Sequence, residues 1–271
     1  MSNYDFNNKT VILTGASSGI GKCIAEILIN EYNATVYAVA RNEQKLIDVK
    51  NSFNQKSNLY IVTPFDVGVH ENWQNFYTNL LSSGANPSVL INCAGVLPKF
   101  SIVNFTDVKT IEDVMNINFF SIVYSSKTVL PLIRKNKGIM INVISSSALC
   151  PFSGVASYSA SKAGAERFSE CLQVEETNLS VLTAMPGFTK TEVLRSQTAT
   201  DKEKGLIGRI SANPMRVARK ILNSAKKRKK RVIIGIDAHF MNFLFKFFPR
   251  SAPRIITWFL KKTKMKIFED I

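Results

Sequence analysis

The chain predicts a doubly wound α/β fold: a parallel sheet of about seven strands covered by helices on both faces, with a helical extension at the C-terminal end. Three observations lead there. Short β-branched runs alternate with longer segments of helical pattern over the first two hundred residues, as strands joined by crossover helices do. The 271 residues, 45% hydrophobic and 20% charged, are enough for one full core and suit one large domain. No internal repeat and no Pro/Gly/Ser-rich linker marks a second domain.

In chain order the strands are expected over residues 10–14, 35–39, 59–63, 89–91, 139–144, 180–184 and 231–234, where the β-branched runs lie. The helices are expected between them, over 20–30, 44–52, 71–82, 111–133, 157–177 and 215–225. This composition excludes a disordered chain, a collagen and a disulfide scaffold. Residues 1–9 are not basic-then-apolar, and no apolar stretch reaches the roughly 18 residues that span a bilayer. Cys23, Cys93, Cys150 and Cys171 are scattered without a Cys-x-x-Cys pair and read as reduced thiols, so a cytoplasmic location is expected. With His70 and His239 the only histidines, a His-based metal site and a Ser-His-Asp hydrolase have little to rest on, and no metal is expected.

The most telling local pattern is Thr14-Gly15-Ala16-Ser17-Ser18-Gly19-Ile20-Gly21, placed between the first strand and the first helix. Gly15 permits the tight turn, Gly19 lets a backbone approach a pyrophosphate, and Gly21 lets the helix pack close to the strand. The helix N-terminus then offers free N–H groups and the positive end of its dipole to phosphates. Further on, Tyr158-Ser159-Ala160-Ser161-Lys162 sets a phenol and an ammonium about one helical turn apart, on one face. A tyrosine of ordinary pKa near 10 suits neutral pH poorly, and a neighbouring cation stabilises its phenolate.

With Thr14 in front, the three-then-one glycine spacing resembles the short-chain dehydrogenase/reductase family, and further motifs follow in order. Asp66-Val67 resembles the family's adenine-contacting pair. Asn92-Cys93-Ala94-Gly95 resembles its Asn-Asn-Ala-Gly, with Cys93 in place of the second Asn. Tyr158 and Lys162 are its Tyr-x-x-x-Lys, and Pro186-Gly187-Phe188-Thr189-Lys190-Thr191 resembles its nicotinamide segment Pro-Gly-x-x-x-Thr. The resemblance runs from Lys9 to about Thr191 and implies a Rossmann-like, NADP-binding catalytic domain over residues 1–237. A substrate lid is implied near 188–212, and residues 238–271 form an extension of the same domain.

It also implies roles. Tyr158 is the acid/base, Lys162 lowers its pKa and holds the ribose, and Ser145 polarises the substrate carbonyl, with Ser146 one residue away as the alternative. Asn118, and less well Asn116, matches the asparagine that holds a proton-relay water. Cofactor contacts are implied for Gly15, Ser17, Ser18, Gly19, Ile20, Gly21, Asp66, Val67, Asn92, Ala94, Gly95, Tyr158, Lys162, Pro186, Gly187, Phe188, Thr189 and Thr191. At the end of the second strand the acidic position that accepts the ribose hydroxyls of NAD is Ala40, followed by Arg41. NADP(H) is therefore favoured over NAD(H), although the other basic position used by some NADP-binding relatives is Ser18 here. The expected chemistry is hydride transfer between NADP(H) and a ketone or aldehyde/alcohol pair. A pocket over Leu97, Pro98 and residues 147–152 and 188–208 hints at a steroid, fatty acyl or sphingoid substrate. The rival reading is a non-catalytic, membrane-associated NADP sensor or scaffold. The family's habit of pairing long helices implies a homodimer or homotetramer.

The net charge of +15 lies entirely in the last quarter: residues 1–201 carry 16 Lys+Arg against 16 Asp+Glu, leaving 19 against 4 beyond them. After the run Lys226-Lys227-Arg228-Lys229-Lys230-Arg231, aromatic and basic residues share two helical segments ending near Leu260. Three readings stay open for this tail. It packs on the protein over the pocket or at a subunit interface, it lies on an anionic membrane surface, or it binds nucleic acid. The last is the weakest, because the basic run has no base-reading motif.

Overall fold

The computed structural model describes residues 3–190 and 211–271. Seven strands pair in parallel in the order β3-β2-β1-β4-β5-β6-β7: β1 Thr10–Thr14, β2 Thr35–Ala40, β3 Tyr60–Pro64, β4 Val89–Asn92, β5 Ile139–Val143, β6 Ser180–Pro186 and β7 Arg231–Ile234. Period-two alternation sends successive side chains to opposite faces. Val11, Leu13, Val89, Ile91, Ile139 and Ile141 face one layer, and Ile12, Leu90 and Met140 face the other. Both layers are apolar, so the sheet must be covered twice. Helices α1 Gly19–Tyr32, α2 Glu43–Asn51 and α7 Pro214–Lys226 cover the first face; α3 His70–Ser82, α5 Ser121–Lys135 and α6 Ala156–Glu175 cover the second.

Helix starts follow from capping chemistry. Asn42 accepts from the Lys45 N–H at the head of α2, and Asn213 from the Met215 N–H at the head of α7, where Pro214 occupies the first turn. At the head of α1, by contrast, the extended Ser18 makes no side-chain cap and the first turn has no acidic residue.

One expectation is corrected. The single helix expected over 111–133 is two helices, α4 Val108–Met115 and α5, joined by a π turn at Asn116–Phe120. Here the Ser121 N–H reaches back to the Asn116 carbonyl, five residues away. The buried Asn118 amide accepts from the Val96 N–H at 2.8 Å, and donates to the Val96 carbonyl at 2.9 Å and the Ser161 hydroxyl at 3.2 Å. Those three hydrogen bonds are the tertiary reason for an asparagine inside a helix, where it is locally disfavoured.

The tail forms α8 Ile236–Phe247 and α9 Ala252–Lys262. Their buried faces join Phe100, Phe152, Val155 and Phe268 in a third apolar cluster, separate from the two sheet layers. Among the described residues no helix is long and apolar enough to cross a membrane.

A buried polar chain ties the second layer to the sheet. The Ser125 hydroxyl donates to the Asn92 Oδ1 at 3.0 Å, Asn92 Nδ2 to Asn142 Oδ1 at 2.9 Å, and Asn142 Nδ2 to the Ser169 hydroxyl at 2.8 Å. Replacing the central Asn142 by Ala strands the Asn92 amide. Urea unfolding of Asn142→Ala is expected to show a loss of roughly 2–4 kcal/mol, from the orphaned amide plus the small cavity.

Candidate active site

The strand order reverses between β1 and β4, and at that point in a doubly wound sheet a crevice opens beyond the carboxyl ends of the strands. It is lined by Gly15, residues 18–21, residues 93–97, residues 143–147, Tyr158, Lys162 and residues 186–189. Phe100, Phe152, Val155 and Met241 complete the lining on the apolar side.

The glycine turn is built by sterics. Gly15 has φ +69, and a Cβ there would lie 2.9 Å from the backbones of Cys93 and Ala94. A Cβ on Gly21 would lie 2.1 Å from the Gly15 carbonyl oxygen, so only glycine lets α1 sit this close to its strand. The Thr14 hydroxyl accepts from the N–H groups of both Cys93 and Ala94 at 3.0 Å, fixing the loop after β4 against the turn. That loop carries Gly95, where a Cβ would lie 3.2 Å from both Asn118 Oδ1 and Lys162 Nζ.

Tyr158 and Lys162 project from one face of α6, with the ammonium 5.8 Å from the phenol ring centroid and 3.5 Å from the Val143 carbonyl. Ser145, just past β5, hydrogen-bonds the Tyr158 phenol and accepts from the Ser147 N–H at 3.2 Å. The contact to the phenol thus falls on Ser145 rather than its neighbour Ser146. Burial dominates the electrostatics. It raises Tyr158 above its ordinary value while the Ser145 hydrogen bond pulls the other way, and it lowers Lys162 to about 8. The neighbouring Cys93 thiol is pushed up to about 12, again chiefly by burial. The sequence leads one to expect a phenol pulled down by its cation; the structure instead holds it up, because desolvation outweighs the other contributions.

Not every expected contact residue lines the crevice. Arg41, Asp66 and Val67 sit past the ends of β2 and β3, outside the lining. There the Arg41 guanidinium lies 3.8 Å from the Asp66 carboxylate, whose other oxygen accepts from the Gly68 N–H at 2.8 Å. Ser17 lies beside the lining, and Asn92 points into the buried polar chain instead. Thr191 and most of the expected lid lie outside the described residues.

Three contributors were not foreseen. Thr14 is part of the sequence motif, and the structure adds its role as the clamp on the loop after β4. Asp237 accepts from the Phe188 N–H at 2.7 Å and crowds Gly187, where a Cβ would lie 2.1 Å from its carboxylate. Its signal was Gly235 two residues earlier, with φ +115, which bends the chain out of β7 back toward the crevice. Met241 comes from the tail, whose helical spacing alone did not show which face turns inward.

A glycine turn at the switch point of a parallel sheet, with a Ser-Tyr-Lys group across the crevice, is the architecture of a nucleotide-dependent short-chain oxidoreductase fold. The family model for short chain dehydrogenases matches residues 9–202, and the chain belongs to that family. It is 33% identical over 191 residues to 11-beta-hydroxysteroid dehydrogenase-like 2 of Arabidopsis thaliana, a match covering 70% of this chain and 62% of that protein. It is 30% identical over 246 residues to 3-ketodihydrosphingosine reductase of Mus musculus, covering 86% and 73%. Among solved structures, a short chain dehydrogenase from Burkholderia cenocepacia in complex with NADP superimposes with a TM-score of 0.76 at 23% identity, covering 92% of this chain and 97% of the other. That likeness establishes the fold.

The lowered Lys162 pKa has a consequence for stability. The folded chain releases this proton near pH 8, whereas the unfolded chain holds it until about its ordinary 10.5. The unfolded state therefore binds more protons between those values, and stability at this site rises with pH across that window. Lys162→Met is expected to raise stability at pH 7 by up to roughly 3 kcal/mol and to flatten the rise between pH 8 and 10.5, as read by urea unfolding at several pH values.

Proposed function

We propose that this chain is an NADP(H)-dependent oxidoreductase that interconverts a ketone or aldehyde and its alcohol on a lipophilic substrate of steroid, fatty acyl or sphingoid type. The observation that carries this reading is the convergence of Ser145, Tyr158 and Lys162 on one wall of the crevice that starts at the glycine turn. The residues fit the cofactor. The uncapped first turn of α1 and the left-handed backbone of Gly15 and Gly19 suit a pyrophosphate. Arg41, bound to Asp66 in an exposed and therefore weak pair, is free to turn toward a 2′-phosphate.

When bound, NADPH supplies the hydride. Ser145 donates a hydrogen bond to the substrate carbonyl oxygen, and Tyr158 passes its phenolic proton to the same oxygen as it gains negative charge, leaving the alcohol. Lys162 faces the resulting phenolate and stabilises it. A phenol held above its ordinary pKa by burial is protonated at neutral pH, as a proton donor to a carbonyl oxygen must be. Asn118 acts as a positioning residue: its amide is committed to Val96 and Ser161, so it holds the loop after β4 beside Lys162.

The substrate class rests on the apolar side walls, Leu97, Phe100, Phe152, Val155 and Met241, and agrees with the names of the plant and mouse relatives. Among the described residues the buried Ser147 hydroxyl in this lining has no hydrogen-bond partner, and it is suited to a polar group on an otherwise apolar substrate. Self-assembly through the long α5 and α6 is part of the reading, with Phe120 beside α5 and Val174 on α6 exposed.

Two measurements test it. Tyr158→Phe should keep NADPH affinity within a few fold, read by quenching of tryptophan emission, and lower carbonyl reduction by roughly 10²–10⁴-fold. Unchanged turnover would remove the assignment, and an absence of turnover in the parent on lipophilic ketones and aldehydes would favour a sensor. Arg41→Ala should weaken NADPH about tenfold or more through loss of a charge-assisted contact, while NADH affinity holds.

A further inference from the structure

The outer surface of the C-terminal extension is not accounted for by the crevice. α8 buries Ala238, Met241 and Leu244 and turns Phe240, Phe243 and Phe247 outward; α9 buries Ala252 and Leu260 and leaves Trp258 and Phe259 outside. With Phe248 just past the end of α8, these six aromatic side chains are each 54–63% exposed. Soluble proteins leave single apolar residues in water routinely, but a cluster of this kind marks a contact surface. The rings also keep company with cations. Phe243 and Phe247 lie 4.8 Å apart between centroids, Lys246 is 5.8 Å from the Phe247 ring, and Lys262 is 4.2 Å from the Trp258 ring.

The charge decides the occupant. From Phe240 to Lys266 there are seven Lys and Arg residues and no Asp or Glu. A second copy of the chain meeting this face would set one cationic surface against its equal, which is repulsive. A polynucleotide would answer the charge but leave most of two helices' aromatic surface without an apolar partner. An anionic bilayer surface answers both: rings enter the headgroup and acyl boundary while Lys and Arg extend to the phosphates.

We infer that α8 and α9 dock this chain peripherally on an anionic lipid surface, lying in the interface plane. Met241, on the inward face of α8, lines the crevice, so the docked helix is the wall between lipid and crevice. An apolar compound dissolved in the bilayer then needs to pass little water to reach Tyr158. That consequence rests on the lipophilic substrate proposed above; docking itself does not.

The test uses the full-length protein with phosphatidylcholine vesicles, with and without phosphatidylglycerol. Trp258 is the reporter, because the other tryptophan, Trp73, is fully buried. The expected result is co-sedimentation with the anionic vesicles, weaker at high salt, together with a blue shift of tryptophan emission that Trp258→Phe removes. Phe243→Ser combined with Phe247→Ser should weaken partitioning tenfold or more, and Arg250→Glu combined with Arg254→Glu should remove the dependence on anionic lipid. All four substitutions are on the surface and outside the crevice, so NADPH quenching should be unchanged in both variants. Docking is overturned if the parent stays in the supernatant with unshifted emission, or if binding survives both pairs of substitutions. It is equally overturned if the aromatic pair dissociates an oligomer, or if the parent binds a single-stranded polynucleotide but not vesicles. Loss of NADPH binding in the parent would instead count against the oxidoreductase reading and leave the docking result standing.

Discussion

Everything at the crevice depends on how closely two backbones pass at Gly15. A side chain there would collide with the loop after β4, and one on Gly21 would collide with Gly15 itself. Because both are bare, α1 rests on the turn and the turn rests on Cys93 and Ala94, which Thr14 clamps by two hydrogen bonds. Gly95 follows directly and lies against Lys162 and Asn118. A steric requirement at the start of the first helix is thus transmitted, contact by contact, to a lysine on the sixth. The glycine-turn end and the Tyr158–Lys162 end of the crevice form one packed unit, and interiors packed at crystal-like density pass such constraints on without slack.

The electrostatics follow from that packing. Setting the half-buried Tyr158 and the buried Lys162 in the crevice wall costs each its charged form, so one pKa rises and the other falls. An ammonium kept near the middle of the titration range is a poor structural ion, and the fold tolerates it with a long hydrogen bond to the Val143 carbonyl. In the mechanism proposed above, such a desolvated cation beside a protonated phenol is costly in the resting protein and useful once negative charge appears on the phenol oxygen. Perturbed groups of this kind cluster at functional sites for that reason.

The legibility of this chain in its sequence divides along physical lines. The seven strands were readable because each is a local β-branched run, and Tyr158 with Lys162 because four residues of helix fix their common face. The glycine turn was readable because its meaning lies between adjacent elements. The π turn was not, since it arises from the demand of Val96, 22 residues away, for the Asn118 amide. Asn92 matches a motif, yet its side chain serves Asn142 and Ser125, partners that become neighbours only when β4 pairs with β5 and α5 packs on the sheet. Asp237 acts on Phe188 across 49 residues, and Gly235 beside it marks a turn in the chain without marking the partner.

The tail shows the same limit in another form. Its periodicity predicted amphipathic helices but could not say whether the apolar side faced protein or something else, and the structure answers that it does both. α8 and α9 carry more apolar surface than one packing face can absorb: Met241 lines the crevice and Leu244 is buried in the third apolar cluster, while Phe240, Phe243 and Phe247 are left over on the far side. A helix that merely capped a pocket would turn polar residues outward. Exposed aromatics interleaved with cations, at a place where one helix separates solvent from an apolar crevice, are explained most economically if that solvent side is a second apolar phase bearing negative charge. On this view the extension couples where the chain sits to what can enter its crevice.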